Sequence, residues 1–364
     1  MQTYLIYSFI LFGTTWVAYL YQKTNYIKNQ RIAYFFVFFI PFIFMAIRYD
    51  IGADYRNYVR LFEMISNGEI VLKEPGYILV NYIISYLGLD VQWVFVFFAF
   101  FTLLFAYKGF PKEHFATSIF LFIAIFYLYY GLGVIRQGLA VSIMLYATKY
   151  LYNKDFKKYL MFSIFASLFH FGSAILPLLL YPVVNTNYNR FFMLVMLAVL
   201  NVIVITSDVV IEVYEAFRQL MPAYRDLYAA GQSHYAERAI SAYGNLSIVV
   251  KIFPIIVVTF YKHEIAKKFN YGNIVVNFTF VYGVLVLFSM EMQIFDRIRD
   301  IFILYFILSL VYFINIFSSQ KRLVVMLLVC SLYFTWFIRY ITIATEDINN
   351  GQYVRPYQTI LLNE

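Results

Sequence analysis

Cysteine is nearly absent from this chain, and the single Cys330, inside an apolar run, supports neither a disulfide framework nor a metal site. Charge is scarce as well. Only 13% of the 364 residues are charged against 63% hydrophobic, with a mean hydropathy of +0.71. That balance leaves too little polar surface for a water-soluble protein of this size, so the bilayer is the expected solvent. Glycine-rich phosphate loops, Cys/His zinc spacings, Ser-His-Asp arrangements and nucleotide fingerprints are all missing, and no cofactor or metal is expected. The longest polar stretch, Thr206 to Asn245, is too short to fold alone, so residues 1–364 read as one integral-membrane domain. The net charge of +8 comes from loop lysines rather than a nucleic-acid face, and no nucleic-acid partner is expected.

Long apolar runs are what the chain does have. Runs of roughly the length that spans ~30 Å of hydrocarbon as helix lie near Tyr4–Tyr21, Ile32–Ile47, Tyr77–Gly88, Val91–Ala106, Thr117–Tyr130 and Gly138–Leu151. Six more lie near Leu160–Tyr181, Phe191–Ile205, Leu246–Phe260, Ile274–Ser289, Ile301–Ile316 and Leu323–Phe337. They lack the strict alternation of a lipid-facing barrel, so the expected fold is an all-α transmembrane bundle of about ten to twelve helices. The first run has no basic leader and no A-x-A-like cleavage site, and reads as a retained helix. Many of the thirty-six tyrosines fall at run ends, where aromatic belts sit at headgroup level.

Lysine and arginine are sorted. Loops at Gln22–Arg31, Tyr107–His114, Tyr152–Tyr159, Tyr261–Phe269 and Ser318–Arg322 carry eleven lysines but only Arg31 and Arg322. Basic short loops mark the cytoplasmic face. Segments Tyr49–Pro75, Thr206–Asn245 and Glu291–Asp300, with both termini, are then outside, together with most of the arginines and acids. Topology needs only positive charge, which lysine supplies, whereas two-point grip on phosphate or carboxylate needs the guanidinium fork. The arginine side is the expected site. Parity fails twice on this scheme: an odd number of crossings is required between Tyr49 and Tyr107 and between Tyr159 and Asp208, yet each interval holds two runs. One run of each pair is expected to be re-entrant, a device found where backbone lines a cavity, unless the run boundaries themselves are misread.

Four clusters carry the chemistry. Arg48-Tyr49-Asp50-Ile51-Gly52-Ala53-Asp54-Tyr55-Arg56-Asn57-Tyr58 begins where the second run ends. The plainer alternative is that Arg48 snorkels and pairs with Asp50 while Gly52 turns the chain. Arg136, with Gln137, follows Gly131-Leu132-Gly133 between two runs, at a depth where a lone arginine is costly unless it faces a cavity or partner. His170 is in mid-run, either a reactive imidazole or a hydrogen-bonding group between helices. In Glu291–Asp300, Asp296 and Asp300 either serve a site with Arg297 and Arg299 or merely neutralise them. Residues 206–245, with Tyr224, Arg225 and an amphipathic stripe of Val209, Val213, Phe217 and Leu220, read as an interfacial lid or a solvated loop helix.

In this order the clusters resemble the EpsG family of Wzy-like bacterial polysaccharide polymerases. Arg48-x-Asp50-x-Gly52-x-Asp54-Tyr55-x-x-Tyr58 resembles its R-x-D-x-G-x-D-Y-x-x-Y signature, Glu74-Pro75-Gly76-Tyr77 its E-P-G-[FY], and Arg136-Gln137 with Ala140 its R-Q-x-x-A. Phe169-His170 with Ser173 resembles F-H-x-S with one residue inserted, Arg297 with Tyr305 a late R-x-x-x-Y-F, and Pro356-Tyr357 a terminal P-Y. The resemblance implies a GT-C-like bundle in the bacterial cytoplasmic membrane, working on its outer face. Its reaction would move a growing glycan from undecaprenyl diphosphate to a second lipid-linked repeat, with membrane lipid, a chain-length regulator and a flippase as partners. On that reading Arg48, Arg136 and Arg297 stabilise the diphosphate leaving group without a metal. Asp50, Asp54 and His170, in that order, are the candidate bases. Tyr55, Tyr58 and Tyr224 stack on sugars, and Glu74, Gln137, Arg225 and Arg299 bind substrate. A flippase for lipid-linked sugars would need the same basic residues, and a membrane O-acyltransferase would use His170 as base.

Overall fold

The computed structural model of the chain describes residues 1–24, 26–220, 246–290, 292, 294–344 and 354–362. The described chain is helical, as the apolar runs require: with no water in hydrocarbon to satisfy the backbone, each segment must close its own hydrogen bonds. The helices are α1 (Gln2–Lys23), α2 (Ile27–Ala46), α3 (Tyr55–Ser66), α4 (Pro75–Tyr86), α5 (Gln92–Gly109), α6 (Phe115–Phe122), α7 (Ile135–Tyr152), α8 (Phe156–Ser167) and α9 (Phe171–Leu179). They continue as α10 (Tyr181–Val184), α11 (Arg190–Thr206), α12 (Val209–Leu220), α13 (Leu246–Phe260), α14 (Lys262–Lys268), α15 (Gly272–Ser289), α16 (Ile294–Arg299), α17 (Ile303–Ile316) and α18 (Ser319–Ile343). Seven segments are long and apolar enough to cross a membrane: α1, α2, α5, Lys112–Gly131, α15, Phe295–Ile316 and α18. α11 and part of α13 are apolar but shorter. α7 has the length at 18 residues; it carries Arg136, Gln137 and Lys149 and is mostly buried, so its polar groups are kept from lipid. The chain is a multi-pass membrane protein, with these seven candidate spans among the described residues.

The helices sort into two compact units, 1–179 with 317–364, and 180–316. In the first unit, aromatic packing takes up much of the core. Pro41 inside α2 cannot donate to the Val37 carbonyl, and the Tyr107 hydroxyl takes that place at 3.4 Å. After α6 the backbone widens into a π-helix, Ile123–Gly131, along which Phe122, Phe126 and Tyr130 stack at 4.9 and 4.7 Å. Wide turns of this kind recur beside functional sites, and this one delivers the chain to Arg136.

Both parity failures have a structural resolution. α4 is 12 residues, about 18 Å at 1.5 Å per residue, too short to cross, so α5 is the crossing of its interval. The run Leu160–Tyr181 is broken at Leu168–His170 into α8 and α9. The Tyr159 hydroxyl donates to the Pro177 carbonyl at 3.3 Å, although the two residues are 18 apart. In one straight helix they would be separated by about 27 Å; the chain therefore doubles back, and α8–α9 is a re-entrant hairpin that leaves α11 to cross.

The C-terminal segment closes one end of this unit. Arg48 and Thr359 form an antiparallel bridge, Tyr49 N–H donates to Gln358 O at 3.0 Å, and Ile360 N–H donates to Ile47 O at 3.0 Å. Tyr357 inserts its ring edge-on against Tyr7 at 5.6 Å and donates its hydroxyl to Phe44 O at 2.8 Å. The terminal Pro-Tyr pair thus serves as a clasp on the segment bearing Arg48.

In the second unit α15 packs on α17 through Tyr282 stacked on Phe306 at 4.9 Å, and Phe278 against Tyr305 at 4.3 Å. Tyr305, quoted with Arg297 in the late motif, is a core residue at 1% exposure. Arg190 departs from the charge sorting. It donates to Phe260 O and lies 3.5 Å from Glu264 on α14, among the lysines rather than the arginines.

Candidate functional site

Arg136 is placed by close backbone contact between two loops. Gly52 has φ +108, and a Cβ there would lie 1.9 Å from the Leu132 carbonyl, so only glycine lets the 48–54 loop rest on the Leu132–Gly133 backbone. That contact sets the start of α7, and Arg136 is its second residue. Its guanidinium pairs with the Glu74 carboxylate, sits 5.3 Å from the Tyr77 ring centre, and keeps a buried Nε without a hydrogen bond among the described residues. Glu74 is the N-cap of α4, with Pro75 at the first turn, where a ring costs no hydrogen bond.

The re-entrant hairpin meets this pair. Gly76 N–H, at the start of α4, donates to the Leu168 carbonyl at the hairpin tip at 2.8 Å, and a Cβ on Gly76 would come within 2.7 Å of that oxygen. The depth is fixed by α5: Tyr77 packs 6.0 Å from Phe98, and Phe169 packs 5.8 Å from the same ring. Phe98 lies six residues into α5, roughly 9 Å along its axis. At that level His170 caps α9, its Nδ1 accepting from Ser173 N–H at 3.3 Å with the Ser173 hydroxyl at 2.9 Å. The ring therefore takes the Nε2–H tautomer in this arrangement. The extra residue between His170 and Ser173 supplies the N-cap to N3 spacing of a capping pair.

Arg48 lies behind this layer with 0% exposure. Its Nη1 donates to Met45 O at 2.6 Å and its Nε to Ile51 O at 3.2 Å, its carbon centre lies 4.3 Å over the Phe95 ring, and one Nη2 has no hydrogen bond among the described residues. Burial lowers its pKa to about 10, which leaves it charged at neutral pH. The Gln92 side chain donates to Ala46 O and, at 3.2 Å, to Arg48 O, stitching α5 to the same loop.

The remaining candidates divide. Asp50, with φ +46, is gripped by Arg56 through contacts of 2.9, 3.2 and 2.6 Å, not by Arg48 as the snorkelling alternative has it. Asp54 acts electrostatically on Tyr58: burial first, then Asp54, push the Tyr58 hydroxyl up to about 12, while its hydrogen bond with Arg136 opposes them. Tyr55 and Tyr58 are buried at 6% and 1%, so their rings are core, with Tyr55 stacked 4.7 Å from Phe95. The expected sugar-stacking role of these two faces does not fit that packing. The physical reason is that α3 is amphipathic, with Tyr55, Tyr58, Leu61 and Ile65 on its inner face. Gln137 is buried at 6%. The expectations for Tyr224 and Arg225, and for most of the 206–245 lid, fall outside the described residues, although α12 supplies the helix expected over its first part.

In the second unit Arg299 is the buried arginine. Asp300 accepts from its Nε at 2.9 Å and its Nη2 at 2.7 Å, Asp296 pairs with its Nη1, and Ser289 Oγ lies 3.4 Å away. Arg297 is exposed on α16. Sequence reasoning missed Gln92, a polar residue at the head of an apolar run, and Lys262, counted among loop lysines yet only 2% exposed.

A multi-pass helical bundle with an arginine–glutamate pair at the meeting point of two half-inserted elements is the class defined so far. The EpsG family model matches residues 31–359, and the chain belongs to that family of Wzy-like polysaccharide polymerases. The chain matches no curated protein and no solved structure.

Proposed function

We propose that the protein lengthens a bacterial glycan by transferring the growing chain from undecaprenyl diphosphate to a lipid-linked repeat unit, at the outer face of the cytoplasmic membrane. The observation that carries this reading is Arg136. It is held by Glu74 and hydrogen-bonded to Tyr58, lies over Tyr77, and keeps its Nε buried without a hydrogen bond among the described residues. An unsatisfied buried donor is costly, and an anion reaching it would recover that cost as charge grows on the departing diphosphate. In the reaction the bond between the sugar anomeric carbon and the diphosphate oxygen breaks, and the acceptor hydroxyl oxygen bonds to that carbon. Its proton passes to a carboxylate. Asp50, gripped by the Arg56 fork, and Asp54 are the two candidates for that role.

Arg48 acts through position: its bonds to Met45 and Ile51 hold the loop that carries Asp54. Arg297 and Arg299 belong to the second unit, where Arg297 is exposed and Arg299 is paired with acids. The lysine-bearing loops face the cytoplasm, in keeping with the charge rule. The test is reconstitution of the full chain with defined lipid-linked repeat units. A ladder of products longer than one repeat is the expected result; binding without any lengthening, or movement of the lipid across the bilayer alone, would point to a flippase instead.

A further inference from the structure

The second unit holds a buried lysine whose neighbours among the described residues are neutral. Lys262, the first residue of α14, is 2% exposed. Its ammonium lies 2.9 Å from Asn277 Oδ1, 3.5 Å from Met193 Sδ and 5.5 Å from the centre of the Tyr188 ring. The orientation of Asn277 is fixed, because its Nδ2 donates to Val184 O at 2.7 Å and Thr186 O at 2.8 Å, which turns Oδ1 to the lysine. Burial without a counter-charge lowers the Lys262 pKa to about 8. A buried cation that lacks a carboxylate is an expensive feature to retain.

Met193, Tyr188 and Asn277 also line a cavity of about 260 Å³, completed by apolar residues of α10, α11 and α15 that include Val183, Phe192, Met196 and Val281. It exceeds the ~150 Å³ of an apolar cavity that stays dry and takes benzene. Phe192 and Val183 on its rim are 55% and 43% exposed. They continue the apolar outer face of α11, where Phe191, Val195, Val199 and Val202 are each more than half exposed, as lipid-facing residues are.

We propose that this cavity binds one anionic phospholipid, with part of an acyl chain between α11 and α15 and a phosphate oxygen neutralising Lys262. Basic pockets between spanning helices on the lysine-rich side of a membrane protein recognise such headgroups. The charge of Lys262 selects an anionic lipid over a zwitterionic one of the same chain length, and the apolar lining selects a lipid over a free anion. The site shares no residue with the Arg136 pair, so its loss leaves the proposed polymerase reading intact.

The test is native mass spectrometry and thermal unfolding of the full chain in detergent, with phosphatidylglycerol, phosphatidylcholine or inorganic phosphate added. Phosphatidylglycerol is expected to bind as a single retained copy and to raise Tm, with at least tenfold weaker binding of phosphatidylcholine. Lys262→Met is expected to abolish that preference while leaving the protein folded. Met196→Trp, which fills the cavity and keeps the charge, is expected to weaken both lipids, and it stands as the second arm if Lys262→Met does not fold. Equal binding of the two lipids by the wild type, an unchanged preference in Lys262→Met, or stabilisation by inorganic phosphate alone would overturn the proposal.

Discussion

Arg136 in the first unit and Arg299 in the second are both withdrawn from solvent, and they are compensated in opposite ways. Arg299 meets two carboxylates and a serine hydroxyl, so its fork is filled from within. Among the described residues, Arg136 meets one carboxylate, the Tyr58 hydroxyl and an aromatic face while its Nε has no hydrogen bond, and Arg48 meets carbonyls and a ring while its Nη2 has none. A guanidinium whose donors are all spent on neighbouring acids is a strut. One with donors in reserve, beside a polar loop, is positioned to receive an anion. The comparison ranks the arginine clusters by what their neighbours leave unsatisfied, which residue type alone does not.

The largest expected effect is on Arg136. Arg136→Ala is expected to lower chain lengthening by about 10²- to 10³-fold, the cost of losing one preorganised donor to a developing negative charge, with normal membrane insertion by fluorescence-detected size exclusion. Arg136→Lys should fall with it, because the charge survives but the fork does not. Normal ladders from either variant would erase the distinction between the two arginines.

Arg299→Ala tests the other side. It removes from the Asp300 side chain, 5% exposed, the guanidinium that grips it through two nitrogens. Breaking a buried pair in this way costs about 3–5 kcal/mol, so Tm should drop sharply while transfer per folded molecule is retained. A rate loss as large as that of Arg136→Ala, at unchanged Tm, would move Arg299 into the site.

Gly52→Ala probes the joint that sets Arg136. The positive φ and the approach to the Leu132 carbonyl together imply a cost of roughly 1–3 kcal/mol, and the variant should lose activity ahead of stability as Arg136 shifts. Wild-type activity would show that the two loops need not touch. The smallest effect belongs to Arg56→Ala. Arg56 is 74% exposed, and exposed pairs are worth about 0–1 kcal/mol, so Tm should hardly move. A large rate loss would instead promote Asp50 to the base.

Membrane class, helical structure, the family motifs and the identity of Arg136 as a residue in need of explanation were all legible in the chain. They depend on local properties: hydropathy over some twenty residues sets a crossing, and a charge flanked by apolar runs is costly wherever the fold puts it. Parity singled out two intervals with one apolar run too many, Tyr49–Tyr107 and Tyr159–Asp208, because crossings must alternate.

What the sequence left open was pairing and burial. Nothing in the order of residues says that Glu74, sixty-two positions away, is the partner of Arg136, that Arg56 rather than Arg48 takes Asp50, or that Tyr55 and Tyr58 face inward. Nor does it say that one of the loop lysines, Lys262, is buried against Asn277. These depend on which helix faces meet, and apolar runs rich in Phe, Leu and Ile are nearly interchangeable in that respect. The choice falls to a few close approaches, such as Gly52 on Leu132 and Gly76 on Leu168, where the absence of a side chain lets two backbones touch. Composition and pattern determined that this chain crosses a membrane with arginines to spare; only the tertiary contacts decided which of them are spent.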